Sequence, residues 1–225
     1  YKMNRKLIVI GGGYAGTEVI RQLVNRGVRN LEVELISEKR HFENTIAGAE
    51  LISEKMKTEQ LRYDLTELSN FWNFELTIGN VENADLNEKT LKVENKEKDY
   101  DILVAATGSE PNFFNLREAN LALPAYSLSS FGIINERLKR SNLDNPNVVV
   151  AGAGFVGLEV TAELLDLFKA INKKARVIVI EKMDSVLPAY NNDLARKIAF
   201  EQFASRGVKF MLGKGLKRID NESVV

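Results

Sequence analysis

Cysteine is absent from the sequence, and histidine occurs once, at His41. The first absence excludes a disulfide framework, a thiolate metal site and a redox-active dithiol within these residues. The second leaves no histidine cluster for a metal, so no metal site is expected, and His41 reads as a surface or loop residue. No apolar run reaches the length of a membrane-spanning helix. Neither sign of charge dominates: 31 Lys plus Arg balance 31 Asp plus Glu, with a pI near 6.9. Nothing in that balance favours nucleic acid or an anionic membrane surface. Low-complexity tracts and Pro/Ser/Gly linkers are also missing. The chain opens on Tyr1 rather than Met and leads at once into a short strand, so no signal peptide is expected at its start. The compartment is expected to be the cytoplasm. What remains is ordinary globular composition, 44% apolar and 28% charged over 225 residues.

The strongest organising signal is an internal repeat. Leu7–Ile10 is a short apolar run that ends in Gly11-Gly12-Gly13-Tyr14-Ala15-Gly16-Thr17-Glu18. Val148–Ala151 is another, ending in Gly152-Ala153-Gly154-Phe155-Val156-Gly157-Leu158-Glu159. The copies align without a gap, Gly11 on Gly152, Gly16 on Gly157 and Glu18 on Glu159. A helical stripe follows each: Ala15, Val19 and Leu23 with Ile20 and Val24, then Val156, Val160, Leu164 and Phe168. Gly27 sits where the first helix should stop. β-rich runs come next, Leu31–Ile36 and Ala175–Ile180. Strand, glycine turn, helix and strand form the βαβ context that gives such a turn meaning. One copy alone is a weak signal; two in the same context make chance a poor explanation.

The chemistry follows from the helix start. First-turn N–H groups lack intrahelical partners, and with the helix dipole they favour an anion. The first glycine permits the tight turn, the second clears space for a pyrophosphate, and the third lets helix and strand pack closely. Gly11, Gly13 and Gly16 fill these roles in one copy, Gly152, Gly154 and Gly157 in the other. An acid at the end of the second strand binds ribose hydroxyls. In the second copy this is Glu181, which favours NAD(H) over a 2′-phosphate, although Lys182 follows it. In the first copy the position is Ser37, with Glu38 and Lys39 next; either Ser37 or Glu38 makes the ribose contact.

Between the copies, Leu61–Leu68 reads as a helix, and Phe74–Val81, Leu91–Val93 and Tyr100–Ala105 read as strands, with a small antiparallel meander among them. Ser127–Lys139 reads as a helix capped by Ser127. Leu194, Ile198 and Phe203 mark another, and Val208–Leu212 a strand. The fold class is α/β: two Rossmann-like βαβ units with parallel sheets, the first carrying the meander. The expected domains are residues 1–113 for one nucleotide, 114–145 as a connection with a helix, and 146–225 for the other.

A third motif, Tyr100-Asp101-Ile102-Leu103-Val104-Ala105-Ala106-Thr107-Gly108, completes a resemblance to the pyridine nucleotide–disulfide oxidoreductase superfamily of flavoproteins. The resemblance implies FAD at the first turn and NAD(P)H at the second. It places Ala106, Thr107 and Gly108 beside the flavin and Val81 beside the adenine. Tyr14 and Ala15 join the FAD turn, Phe155 and Val156 the NAD turn. Disulfide reductases carry cysteines in the stretch His41–Glu50, which has none here; sulfide:quinone oxidoreductases share the Leu35-Ile36-Ser37 ending but also need cysteines. The sequence is most similar to type II NADH dehydrogenases, which pass hydride from NADH to FAD and electrons to a quinone. Glu159 then lies near the nicotinamide–flavin contact, or serves as a helix-start carboxylate that caps N–H groups. Phe42 packs near the cofactor or plainly in the core. Rival readings are a reductase of a ferredoxin- or rubredoxin-like carrier, a sulfide:quinone-like relative, and a non-catalytic nucleotide-binding module. The family's later Gly-Asp motif and C-terminal interface segment are not in these residues, so a fragment of a longer protein is expected. Any homodimer or peripheral attachment to the inner membrane face would belong to that longer protein.

Overall fold

A computed structural model describes residues 5–114, 116–143, 145–220 and 223–225. The chain divides into two compact units, Tyr1–Glu43 with Arg62–Glu110, and Asn44–Leu61 with Pro111–Val225.

The first unit begins with β1 (Arg5–Ile10), α1 (Tyr14–Asn25), β2 (Leu31–Ser37) and the short β3 (His41–Glu43). It resumes with β4 (Arg62–Asp64), α2 (Leu65–Trp72), β5 (Glu75–Ile78), β6 (Val81–Asp85), β7 (Thr90–Val93), β8 (Lys96–Asp99) and β9 (Ile102–Ala105). A parallel sheet runs β5-β2-β1-β9. Alternation along β1 divides its apolar residues between two faces. Leu7 and Val9 pack with Ile20 of α1 and Leu65 of α2. Ile8 packs with Ile36, Leu91, Val93 and Tyr100, under the antiparallel meander β6-β7-β8. Each fully buried side chain of this kind contributes about 1.5–3 kcal/mol. Buried Glu34 of β2 pins the meander to the sheet. Burial alone would raise its carboxyl, but hydrogen bonds from Lys98, Thr77 and Lys6 outweigh it and hold the group below the usual range.

Several expected boundaries move. Leu61–Leu68 is not one helix: Arg62–Asp64 pairs with β3, and the Asp64 carboxylate accepts the Thr66 N–H, so the helix starts at Leu65. Phe74–Val81 is broken at Gly79-Asn80 into a parallel edge strand and the first meander strand. Strand β9 starts at Ile102 rather than Tyr100, and the polar β8 precedes it.

The second unit contains α3 (Leu128–Arg140), β10 (Asn147–Ala151), α4 (Phe155–Ala170), β11 (Arg176–Ile180), α5 (Asp193–Ser205) and β12 (Lys209–Met211). Ser127 caps α3 in a capping box with Ser130, and Asn192 caps α5. The sheet β10-β11-β12 is parallel. Residues 44–61, which the sequence alone places in the first domain, belong to this unit. Ala49, Leu51, Ile52 and Leu61 share a core with Leu128, Phe131, Leu164 and Leu167, and the Asn135 amide donates to the Ile52 carbonyl. Lys55 bridges Glu163 and Asp166 of α4, which raises its ammonium above the ordinary range through those bonds. Among the described residues no helix is long and apolar enough to cross a membrane, and no His/Cys/Asp/Glu cluster could hold a metal.

Candidate nucleotide-binding turns

The two glycine turns have the same backbone. In the first, the Gly11 N–H donates to the Ile36 carbonyl at 2.8 Å; in the second, Gly152 donates to Ile180 at 2.8 Å. This register makes Ser37 and Glu181 structurally equivalent, each following the last aligned pair between β1 and β2 or between β10 and β11. Gly11 and Gly152 hold φ of +107° and +101°, a conformation side chains resist. A Cβ on Gly16 would lie 1.9 Å from the Gly11 carbonyl oxygen, and one on Gly157 2.0 Å from that of Gly152. These contacts confirm close helix–strand packing as the reason for the third glycine.

At Gly13 and Gly154 a Cβ would meet no atom of the described residues within 4 Å. Each glycine is also the N-cap of a helix, α1 or α4, and offers no side-chain acceptor to the first-turn N–H groups. Open space above a row of helix N–H donors is what a pyrophosphate requires, so both turns fit a dinucleotide.

The surroundings differ. A Cβ on Gly11 would lie 2.1 Å from the Ala106 carbonyl oxygen, with the Thr107 nitrogen at 3.4 Å. The Ala106 N–H in turn donates to Ile10. Ala106 and Thr107 therefore cover the first turn, and Gly108 follows at φ +77°. Ser37 is buried; its hydroxyl donates to the Lys39 carbonyl and presses on the space beside Gly12. Glu38 is exposed, while Lys39 pairs with Glu43. The Gly79 N–H donates to the Ser37 carbonyl, bringing the turn that enters Val81 to the end of β2. Tyr14 meets Phe42 edge-on at 4.9 Å, and Phe42 meets Tyr63 at 5.9 Å. Phe42 is thus both packed on the core and adjacent to the helix start. Ala15 is exposed in the first turn of α1, and His41 lies exposed in β3 opposite Asp64.

In the second unit the Glu181 carboxylate accepts the Ala153 N–H at 2.9 Å and the Met183 N–H at 2.8 Å. The acid is fixed against its own glycine turn before any ligand arrives. Phe155 and Val156 are half-exposed beside that turn, so Val156 is not part of the buried stripe of α4. Tyr190 packs edge-on to Phe155 at 5.5 Å. Tyr190 was invisible to motif reading because it sits nine residues past Glu181 in a loop without periodicity. Glu159 is exposed, and no hydrogen bond from a helix N–H reaches it among the described residues, so the capping role does not hold. Partial burial holds its carboxyl above the usual carboxylate range. Its counterpart Glu18 is held down at about 2, chiefly by the Arg21 guanidinium and then by Gln22. A cleft of about 1000 Å³ lies over Val149, Ile178 and Ile180 on one face of the second sheet, and none of the glycine-turn residues line it.

The family model of pyridine nucleotide-disulphide oxidoreductases matches residues 5–225. The chain belongs to that family. It is 24% identical to the type II NADH:quinone oxidoreductase of Staphylococcus saprophyticus, over 93% of this chain and 56% of that protein. Among solved structures, NDH2 from Plasmodium falciparum in complex with NADH superposes with a TM-score of 0.84 at 20% identity, covering 98% of this chain and 50% of that one. The sulfide:quinone oxidoreductase of Aquifex aeolicus superposes with a TM-score of 0.83 at 21% identity, covering 98% and 53%. The chain therefore spans about half the length of the curated relatives it matches. The family takes its name from disulphide chemistry, yet this chain has no cysteine to perform it.

Proposed function

We infer that this chain is the dinucleotide-binding part of a flavin-dependent NADH dehydrogenase, with FAD on the first glycine turn, NADH on the second, and a quinone as electron acceptor. The observation that carries the reading is the pair of open helix N-termini at Gly13 and Gly154, built on one backbone but surrounded differently. In the first unit Gly11, Gly13, Tyr14, Ala15 and Gly16 would hold the FAD pyrophosphate. Ala106, Thr107 and Gly108 would close over it, Val81 would meet the adenine, and Glu38 is the better ribose acceptor because it is an exposed carboxylate, whereas Ser37 is buried. In the second unit Gly152, Gly154, Phe155, Val156 and Gly157 would hold the NADH pyrophosphate. Glu181 would accept ribose hydroxyls and repel a 2′-phosphate, which favours NADH over NADPH. The bound cofactors would supply the hydride transfer themselves, and the protein's part is to bind, orient and exclude water. Glu159, whose carboxyl partial burial holds above the usual range, would sit at the nicotinamide end.

The absence of cysteine disfavours dithiol and sulfide chemistry, and the staphylococcal relative supports quinone as the acceptor. The test is anaerobic addition of NADH to the full-length protein, followed by a quinone or a small electron-carrier protein. A flavin band that bleaches with NADH and returns with quinone is expected. No flavin band and no bleaching would leave only a nucleotide-binding module; reoxidation by the carrier alone would remove the quinone. The 225 residues on their own are expected to oxidise NADH poorly, because the family's remaining FAD-pocket segment is not among them.

A further inference from the structure

The loop between β11 and α5 is fastened to the second glycine turn at both ends. Near its start Glu181 accepts the N–H groups of Ala153 and Met183. Further on, the Leu187 N–H donates to the Ala153 carbonyl at 2.8 Å. Ala153, fully buried, thus has both its backbone groups tied to this loop. Leu187 makes its bond from φ +48°, a region a branched side chain avoids, and it is buried with Val186 against Ala153, Leu158 and Val179. Such a conformation persists only where several contacts over-determine it. The Tyr190 N–H then donates to the Leu187 carbonyl, and the Tyr190 ring reaches Phe155.

One side chain supports the far half of this loop. Arg196, in the first turn of α5, donates from Nη2 to the Pro188 carbonyl at 3.2 Å and from Nε to the Leu187 carbonyl at 3.4 Å. Its Nη1 pairs with Asp193 at 3.2 Å, on its own helix, and the Arg196 side chain is only 26% exposed. A guanidinium can reach both carbonyls and the carboxylate together because its donors are spread in a planar fork; an ammonium cannot.

We propose that Arg196 is a positioning residue for the coenzyme: by holding the Leu187 and Pro188 carbonyls it keeps the 183–190 loop on the Ala153 turn and so sets the affinity for the adenosine diphosphate-ribose half of the nucleotide. Arg196 does not touch the nucleotide and acts only through the loop. Where a binding-competent loop is populated a fraction f of the time, the apparent Kd rises by 1/f. The proposal rests on the second turn being the NADH site.

The test uses the full-length protein, with ADP-ribose as the probe because it cannot reduce a flavin. Calorimetry gives its Kd for wild type, Arg196→Ala and Arg196→Lys, and hydrogen–deuterium exchange follows the 183–190 peptides and the bulk of the second unit. Arg196→Ala is expected to weaken ADP-ribose about tenfold and to speed exchange at 183–190 alone, with flavin content unchanged. Arg196→Lys is expected to fall between, since it keeps the charge and loses the fork. An unchanged Kd with faster loop exchange overturns the proposal. So does a weakened Kd accompanied by faster exchange throughout the second unit, which would mean general destabilisation. Wild-type protein that binds no ADP-ribose overturns the NADH-site reading itself, and the inference with it.

Discussion

Gly11 and Gly152 occupy the same place in two copies of one turn, yet their neighbours differ. Over Gly11 lies the Ala106 carbonyl, just past the strand β9 that flanks β1; at Gly152 no atom of the described residues lies within 4 Å of an added Cβ. At the strand ends, the Ser37 hydroxyl donates to its own loop, whereas the Glu181 carboxylate reaches across to the turn. Two residues past the third glycine of each turn, Glu18 and Glu159 are shifted in opposite directions. Arg21 and Gln22, which hold the Glu18 carboxyl down, align with Ala162 and Glu163, so Glu159 lacks both donors and partial burial raises it instead. A duplicated backbone therefore gives two different sites because the side chains and strands around it diverged.

The largest effect that tests this comparison is the pair Gly11→Ala and Gly152→Ala. Both add strain at positive φ, about 1–3 kcal/mol, but only the first also drives a Cβ into a backbone carbonyl, for a total of about 4 kcal/mol or more. Chemical denaturation should rank Gly11→Ala well below Gly152→Ala in stability; equal losses would mean that Ala106 gives way freely. Next is the strand-end pair. Glu181→Ala should weaken ADP-ribose binding by about 1.5–3 kcal/mol, roughly 10- to 100-fold in Kd, while Ser37→Ala should change FAD retention little. A large FAD loss from Ser37→Ala would return the ribose role to Ser37.

The aromatic pairs should respond less. Removing the Tyr190 ring costs the edge-on contact with Phe155, about 0.5–1.5 kcal/mol, read as a modest rise in the ADP-ribose Kd with unchanged FAD content. The smallest effect is in pH. Glu18 is charged in the folded state down to about 2, so its contribution is present above the unfolded carboxylate range and lost as pH falls toward 2. Glu159 is shifted the other way; its protonated form is favoured by folding, so its contribution is present below the unfolded range and lost as pH rises through its folded value. Carboxyl titration by NMR should show the two glutamates on opposite sides of their ordinary value. Urea melts should show Glu159→Gln removing a fall in stability just above that value, and Glu18→Gln flattening the acid limb. Coincident midpoints would break the contrast.

The sequence by itself determined the two turns, their gapless alignment, the helices after them and the class of ligand, because these rest on local constraints: positive φ, a helix N-terminus and period-two or period-3.6 burial. It also determined the cap at Ser127. Only the tertiary structure decided where residues 44–61 belong, since their apolar residues find partners in α3 and α4, far along the chain. The same holds for the polar strand β8, which pays off through the buried Glu34–Lys98 contact rather than through any pattern of its own. Glu159 lost its capping role, Val156 its place in the buried stripe, and Tyr190 and Arg196 came into view through their contacts at the second turn's loop, for one physical reason. Their surroundings are assembled from segments distant in sequence or from loops without periodicity, and a local pattern carries no record of what such a segment will touch.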